Sequence, residues 1–108
     1  MQVDGAICAA LVDANSGMSL GKIGTGIDLD LAAAGNTEVV RAKMRTKKSL
    51  GLSDTIEDIL ITLGKQYHII RPVANKPGLF IYLVLDKAKS NLALARRNCQ
   101  HAEQSLAM

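Results

Sequence analysis

Two stretches of this chain are apolar almost from end to end. Ala6 to Val12 reads Ala-Ile-Cys-Ala-Ala-Leu-Val, and Leu79 to Leu85 reads Leu-Phe-Ile-Tyr-Leu-Val-Leu. A strand with one face in water alternates apolar and polar residues, whereas an unbroken apolar run of this length reads as a strand buried on both faces. Each run therefore needs cover above and below. Two segments carry helical periodicity, one beginning near Leu29 and one near Leu92. One helix on each face of a single sheet satisfies the requirement.

The segments between fit that plan. Asp13-Ala14-Asn15-Ser16-Gly17 is a turn cluster, so Met18 to Ile23 returns as the second strand of a hairpin. Gly24-Thr25-Gly26 closes the unit. Either Asp28 or Thr25 can cap the helix that follows, and Asp30 suits its first turn. Leu29, Ala33, Val40 and Met44 form the stripe expected to face the sheet. Basic residues crowd the last turns, and Gly51 is a natural stop.

Asp54 to Leu63 alternates, with Glu57, Ile59, Ile61 and Leu63 on one face and Asp58, Leu60 and Thr62 on the other. Its mixed polarity suits an edge strand. Gln66 to Val73 is the next strand, with Pro72 at its end. Asn75-Lys76-Pro77-Gly78 fits a type II turn into the apolar strand Leu79 to Leu85. Asp86 or Ser90 caps a last helix whose stripe is Leu92, Ala95, Cys99, Ala102 and Leu106. The class is α+β. A five-stranded antiparallel sheet carries the long central helix on one face and the C-terminal helix on the other.

The central helix has an unusual head, Ala32-Ala33-Ala34-Gly35. A Gly inside a helix costs about 1 kcal/mol relative to Ala, and four small residues give up side-chain burial. The arrangement makes sense if a backbone approaches closely, either the chain's own sheet or another helix. This segment is the best candidate for an association surface. On the same helix Glu38, Arg41, Arg45 and Lys48 share one charged face. That face reads as a solvated surface or as a dock for an acidic partner.

Composition limits the alternatives. A chain of 108 residues is one domain, and such a domain buries roughly 65% of its unfolded surface. Its core is thin enough to gain from dimerisation. A net charge of +3 with signs interspersed is too mild for a nucleic-acid binder. Tyr67, Phe80 and Tyr82 are too few to stack bases. The run Ala6 to Val12 is too short to span a membrane, so no membrane insertion is expected. No secretory signal is visible, which points to the cytoplasm. Cys8 and Cys99 read as two buried free thiols.

Nothing in the chain reads as a catalytic centre, a metal site or a cofactor site. Gly21-Lys22-Ile23-Gly24-Thr25-Gly26 fails as a phosphate loop. Ser16 stands where the first Gly belongs, and Ile23 stands where a Ser or Thr would hold magnesium. His68 and His101 lack partners at metal spacing and read as surface residues. Glu57 and Asp58 would point to opposite faces and cannot act as a catalytic pair.

Read in order, Gly5-Ala6-Ile7-Cys8-Ala9-Ala10-Leu11-Val12-Asp13, Ser16-Gly17-Met18, Leu29 to Met44, Ile59 to Leu63 and Leu79 to Asp86 resemble the roadblock (dynein light chain) family. The resemblance is to the bacterial members that regulate Ras-like GTPases, and it covers nearly the whole chain. It implies one roadblock/profilin-like domain over residues 1–108, without the helix that usually precedes the first strand. It also implies a dimer in which third strands pair and central helices lie side by side. The residues placed at that interface are Ala32, Gly35, Val39, Ile59 and Ile61. Glu38, Arg41, Arg45 and Lys48 become the docking residues for the GTPase. The implied function is a non-catalytic regulatory or scaffold subunit. The alternative is a small-ligand sensory or scaffolding module of the same shape that acts through homodimerisation.

Overall fold

The computed structural model describes residues 5–53, 55–74 and 76–106. Its elements are β1 (Ala6–Asp13), β2 (Met18–Gly24), α1 (Leu29–Ser49), β3 (Ile59–Thr62), β4 (Gln66–Pro72), β5 (Leu79–Asp86) and α2 (Leu92–Leu106). The strands form one sheet in the order β2-β1-β5-β4-β3, antiparallel at every step. The two apolar runs are β1 and β5, and they pair with each other at the centre of the sheet.

Alternation sends their side chains to two cores. Cys8, Ala10 and Val12 of β1 join Phe80, Tyr82 and Val84 of β5 beneath Leu29, Ala33 and Val40 of α1. On the other face Leu83 and Leu85 meet Ile69 of β4 and Ala95 and Cys99 of α2. Both cysteines are buried and free. Burial in these apolar cores raises each thiol's pKa, which keeps it protonated and inert.

Helix α1 is bounded as its sequence dictates. Asp28 is the cap, and its side chain accepts the Leu31 N–H at 3.1 Å. At the far end Gly51 takes φ +70°. Its N–H donates to the Lys48 carbonyl, and the Leu52 N–H donates to the Lys47 carbonyl, both at 3.1 Å. This is the Schellman closure, which needs a left-handed residue where Gly51 stands. The buried stripe differs in one member from the expected one. Thr37 is inside, its hydroxyl satisfied by the Ala33 carbonyl at 2.7 Å. Met44 is 41% exposed, because the last turns of α1 overlie an open cavity instead of the sheet.

Strand β3 is shorter than its alternation predicts. Residues 55–58 are irregular, and Asp54 lies outside the described residues. Asp58 faces α2, where Arg96 donates two hydrogen bonds to it, of 2.7 and 2.8 Å. The alternation holds over the four residues that remain, with Ile59 and Ile61 packed against the α1-side core. Before β5, Gly78 has φ +93° and the Leu79 N–H donates to the Lys76 carbonyl at 3.1 Å. Pro77-Gly78 thus makes the type II turn; Asn75 lies outside the described residues.

Neither expected residue caps α2. Asn91 does, accepting the Leu94 N–H at 3.1 Å, while Asp86 turns back to the Ala88 N–H. Ala102, expected inside, is exposed, and the side chain of Leu106 is outside the description. Glu103 turns inward instead. It pairs with Arg71 of β4 and accepts the Ala74 N–H at 2.9 Å. The two side chains are only 14% and 13% exposed. An ion pair can occupy this rim because Glu103 is satisfied twice. Among the described residues no helix is long and apolar enough to cross a membrane.

Burial alone would raise the Glu103 pKa, but the Ala74 N–H and Arg71 outweigh it and hold the carboxyl below its ordinary value. The pair's contribution is therefore complete above the unfolded carboxylate range, near pH 4.3, and is lost as pH falls through the lower folded value. Glu103→Gln leaves Arg71 mostly buried without its partner. It should cost roughly 2–4 kcal/mol at neutral pH, with the deficit shrinking in acid. Urea denaturation of both forms across this range measures the effect.

Candidate interaction surface

With 3.6 residues per turn, α1 presents two opposite flanks beside its buried stripe. One flank is fastened to the β1–β2 hairpin. Asp30 accepts from the Ser19 hydroxyl at 2.9 Å and from the Lys22 ammonium at 2.9 and 3.0 Å. Those bonds, Lys22 first, hold the Asp30 carboxyl below its ordinary pKa. About three turns along, Arg41 donates to the carbonyls of Ala14 and Asn15 in the hairpin turn. It also meets Glu38 at 3.3 Å. Lys22, which sits in the failed phosphate-loop motif, is thus a strand residue tied to a helix.

The other flank carries Ala32 and Val39, both partly buried against the core. Helix α1 lies chiefly over β1 and β2. Toward β3 the same sheet face falls away from the helix to a rim formed by Ile59 and Ile61. The floor includes Tyr82 and His68. The Tyr82 hydroxyl lies 2.9 Å from His68 Nδ1, and the rings meet edge to face at 5.5 Å. His68 Nε2 lies 2.9 Å from Gln66 Oε1. Burial lowers the His68 pKa, so the ring is neutral near pH 7. Tyr82 then donates to Nδ1, and Nε2–H donates to Gln66. His68 is consequently no surface residue. It is half-buried because β4 runs between β5 and the short β3; His101 is exposed, as expected.

Gly35 lies on the open side of this flank. A Cβ built there meets nothing within 4 Å. The chain's own sheet therefore does not explain the glycine. The space is open to another molecule, beside Leu31, which is 71% exposed. The backbone edge of β3 next to the trough pairs with no strand among the described residues.

The expected docking residues Glu38, Arg41, Arg45 and Lys48 are all exposed. They lie on the hairpin side of α1, away from Ala32, Gly35 and Val39. Arg41 is half committed to the hairpin. Arg45 and Lys48 form no ion pair among the described residues. A cavity of about 470 Å³ under the end of α1 is lined by Val40, Met44, Lys47, Arg71 and Phe80, among others. Among the described residues no group of three or more His, Cys, Asp or Glu could hold a metal ion. Sequence reasoning missed Thr37, the Tyr82–His68 contact and the Arg71–Glu103 pair. Thr37 was recoverable, since it stands four residues after Ala33 and three before Val40. The other two need the strand register.

A five-stranded antiparallel sheet with a long helix on one face and a terminal helix on the other is the roadblock fold, and the chain has it. Among solved structures it superposes on Myxococcus xanthus MglB with a TM-score of 0.83 at 21% identity, over 94% of this chain and 80% of that one. The gliding protein MglB of Thermus thermophilus gives 0.84 at 19%, over 98% of this chain and 78% of that one. A Roadblock/LC7 domain from Streptomyces avermitilis gives 0.84 at 13%, over 97% and 85%. No protein-family model and no curated protein sequence matches the chain.

Gly35 separates two roles by sign. Leu fits the open space of the isolated chain and should stabilise α1 by up to about 1 kcal/mol, since Gly is the poorer helix former. If a second backbone seats there, the same Leu weakens association, with overpacking costing about 1–3 kcal/mol. In that case Gly35→Leu raises the melting temperature at high dilution and raises the dissociation constant of the assembly about tenfold. A higher melting temperature with unchanged association would remove Gly35 from the interface.

Proposed function

We propose that the chain is a non-catalytic regulatory or scaffold subunit that acts as a homodimer and modulates a Ras-like small GTPase. The observation that carries this is the open trough between α1 and the outer edge of β3, which no strand among the described residues covers. Ala32, Gly35 and Val39 line its helix side, and Ile59 and Ile61 its strand side. A twofold partner would extend the sheet through β3 and lay its own α1 alongside this one. That makes a self-complementary contact of the kind dimers use. The similarity in fold to MglB and to a Roadblock/LC7 domain supports a regulatory subunit, and the sequence resemblance supports a GTPase as the target.

The docking residues of this reading are Glu38, Arg41, Arg45 and Lys48. Arg45 and Lys48 make the electrostatic contact, while Arg41 fixes the hairpin beside them. Modulation needs no chemistry from this chain. A partner that binds one arrangement of the GTPase's switch loops better than the other shifts their equilibrium by that difference in affinity. The cavity under α1 keeps one specific alternative in view, a small-ligand sensor of the same shape. A small molecule retained through purification would favour it.

Light scattering should return twice the chain mass at micromolar concentration, with an interface above the ~1,000 Å² of a specific contact; a stable monomer overturns the dimer. Arg45→Glu with Lys48→Glu should leave fold and dimer intact, since exposed charges add about 0–1 kcal/mol to stability. The double variant should slow association with the GTPase and reverse the salt dependence of the on-rate. Equal on-rates at low and high salt would make this stripe a solvated face.

A further inference from the structure

The charge of this chain is concentrated in one place. The whole sequence has 13 Lys and Arg against 10 Asp and Glu, a net +3. Between Val39 and Ser53 stand five cations, Arg41, Lys43, Arg45, Lys47 and Lys48, and no acid; the rest of the chain, with eight cations and ten acids, is net −2. This basic segment is the last part of α1 and the turn that closes it. Two leucines sit at its tip. Leu50 is 67% exposed and Leu52 54%, on either side of Gly51, where a Cβ meets nothing within 4 Å. The Schellman closure fixes this turn, so the leucines are held out by backbone hydrogen bonds. Met44, 41% exposed, stands just behind them. Opposing charge nearby is limited. Glu38 engages Arg41, Glu57 shares the cavity wall with Lys47, and Asp54 lies outside the described residues.

We propose that the C-terminal end of α1, with Leu50 and Leu52 at its tip, docks the protein on the surface of an anionic lipid bilayer. Cations alone would suit an acidic protein equally well. The projecting leucine pair, backed by five cations that outnumber the neighbouring acids, suits a surface whose outer layer is negative and whose next layer is hydrocarbon. Lys and Arg stay at headgroup level while the leucines reach the acyl boundary, and no helix crosses. The contact is independent of the GTPase reading and shares only its basic residues.

The test is sedimentation of the full chain with vesicles of phosphatidylcholine alone and of phosphatidylcholine with phosphatidylserine, with no GTPase present. Wild type should partition onto the anionic vesicles only, and high salt should release it. Lys43→Gln with Lys47→Gln should lower partition about 25-fold, roughly fivefold for each cation lost near the surface. Leu50→Ser with Leu52→Ser should lower it about tenfold, since it removes the apolar anchor. Melting temperature and light scattering establish that each variant is folded and assembled as wild type. No binding to anionic vesicles, or equal binding to both kinds, overturns the proposal. Wild-type partition by the Leu50→Ser, Leu52→Ser variant also overturns it, since the leucine tip would then take no part in the contact. A chain that sediments with anionic vesicles but binds no GTPase keeps this proposal and overturns the regulatory one.

Discussion

The pairing of β1 with β5 is the contact on which the rest of the molecule depends. Both strands are apolar on both faces, and their register sets Cys8 beside Val84, Ala10 beside Tyr82 and Val12 beside Phe80. Placed at the edge of a sheet, either strand would expose apolar surface and an open backbone ladder. At the centre each is paired on both sides. β5 is covered on both faces, but β1 is buried only beneath α1; its other face, with Ala9 and Leu11, is half-buried beside an open apolar hollow, because α2 sits over β4 and β5. The polar and shorter strands are thereby left for the edges, with β2 at one end and β3 at the other.

That division leads to the surface. Helix α1 is tied to the β2 side by Asp30 and Arg41, so it cannot sit symmetrically over the sheet. Its off-centre seat leaves the β3 side of the same face open. The small residues of α1 and the isoleucines of β3 border that opening from opposite sides. Gly35, weak helix material in isolation, and the small Ala32 beside it thus acquire a role from where the helix is fastened. Helix α2 is held to its own side by Arg96 with Asp58 and Arg71 with Glu103. The first of these pairs fixes the residue just before β3, since Asp58 faces α2.

The charges divide in the same manner. Several acids are already paired by other elements: Asp58 and Glu103 by arginines, and Asp30, at the surface, by Lys22. The cations at the end of α1 remain at the surface together with two leucines. The surface charge of this protein therefore follows in part from which acids the fold pairs with its own cations.

Periodicity and turn chemistry carried the architecture in the sequence. The two apolar runs demanded two-sided cover, Asp28 and Gly51 bounded α1, and Pro77-Gly78 made the last turn. These signals are local, or depend on solvent exclusion alone, and one chain displays them without its neighbours. The candidate surface was legible as small and charged residues on the central helix and as an edge-like strand carrying Ile59 and Ile61. The tertiary structure decided which flank of α1 was used up by the hairpin and which was open, and that Gly35 faces space instead of sheet. It also brought His68 to Tyr82 and turned Glu103 inward in place of Ala102. These outcomes depend on register and on distant ion pairs, where a shift of one residue sends a side chain to the opposite face. No local pattern encodes them.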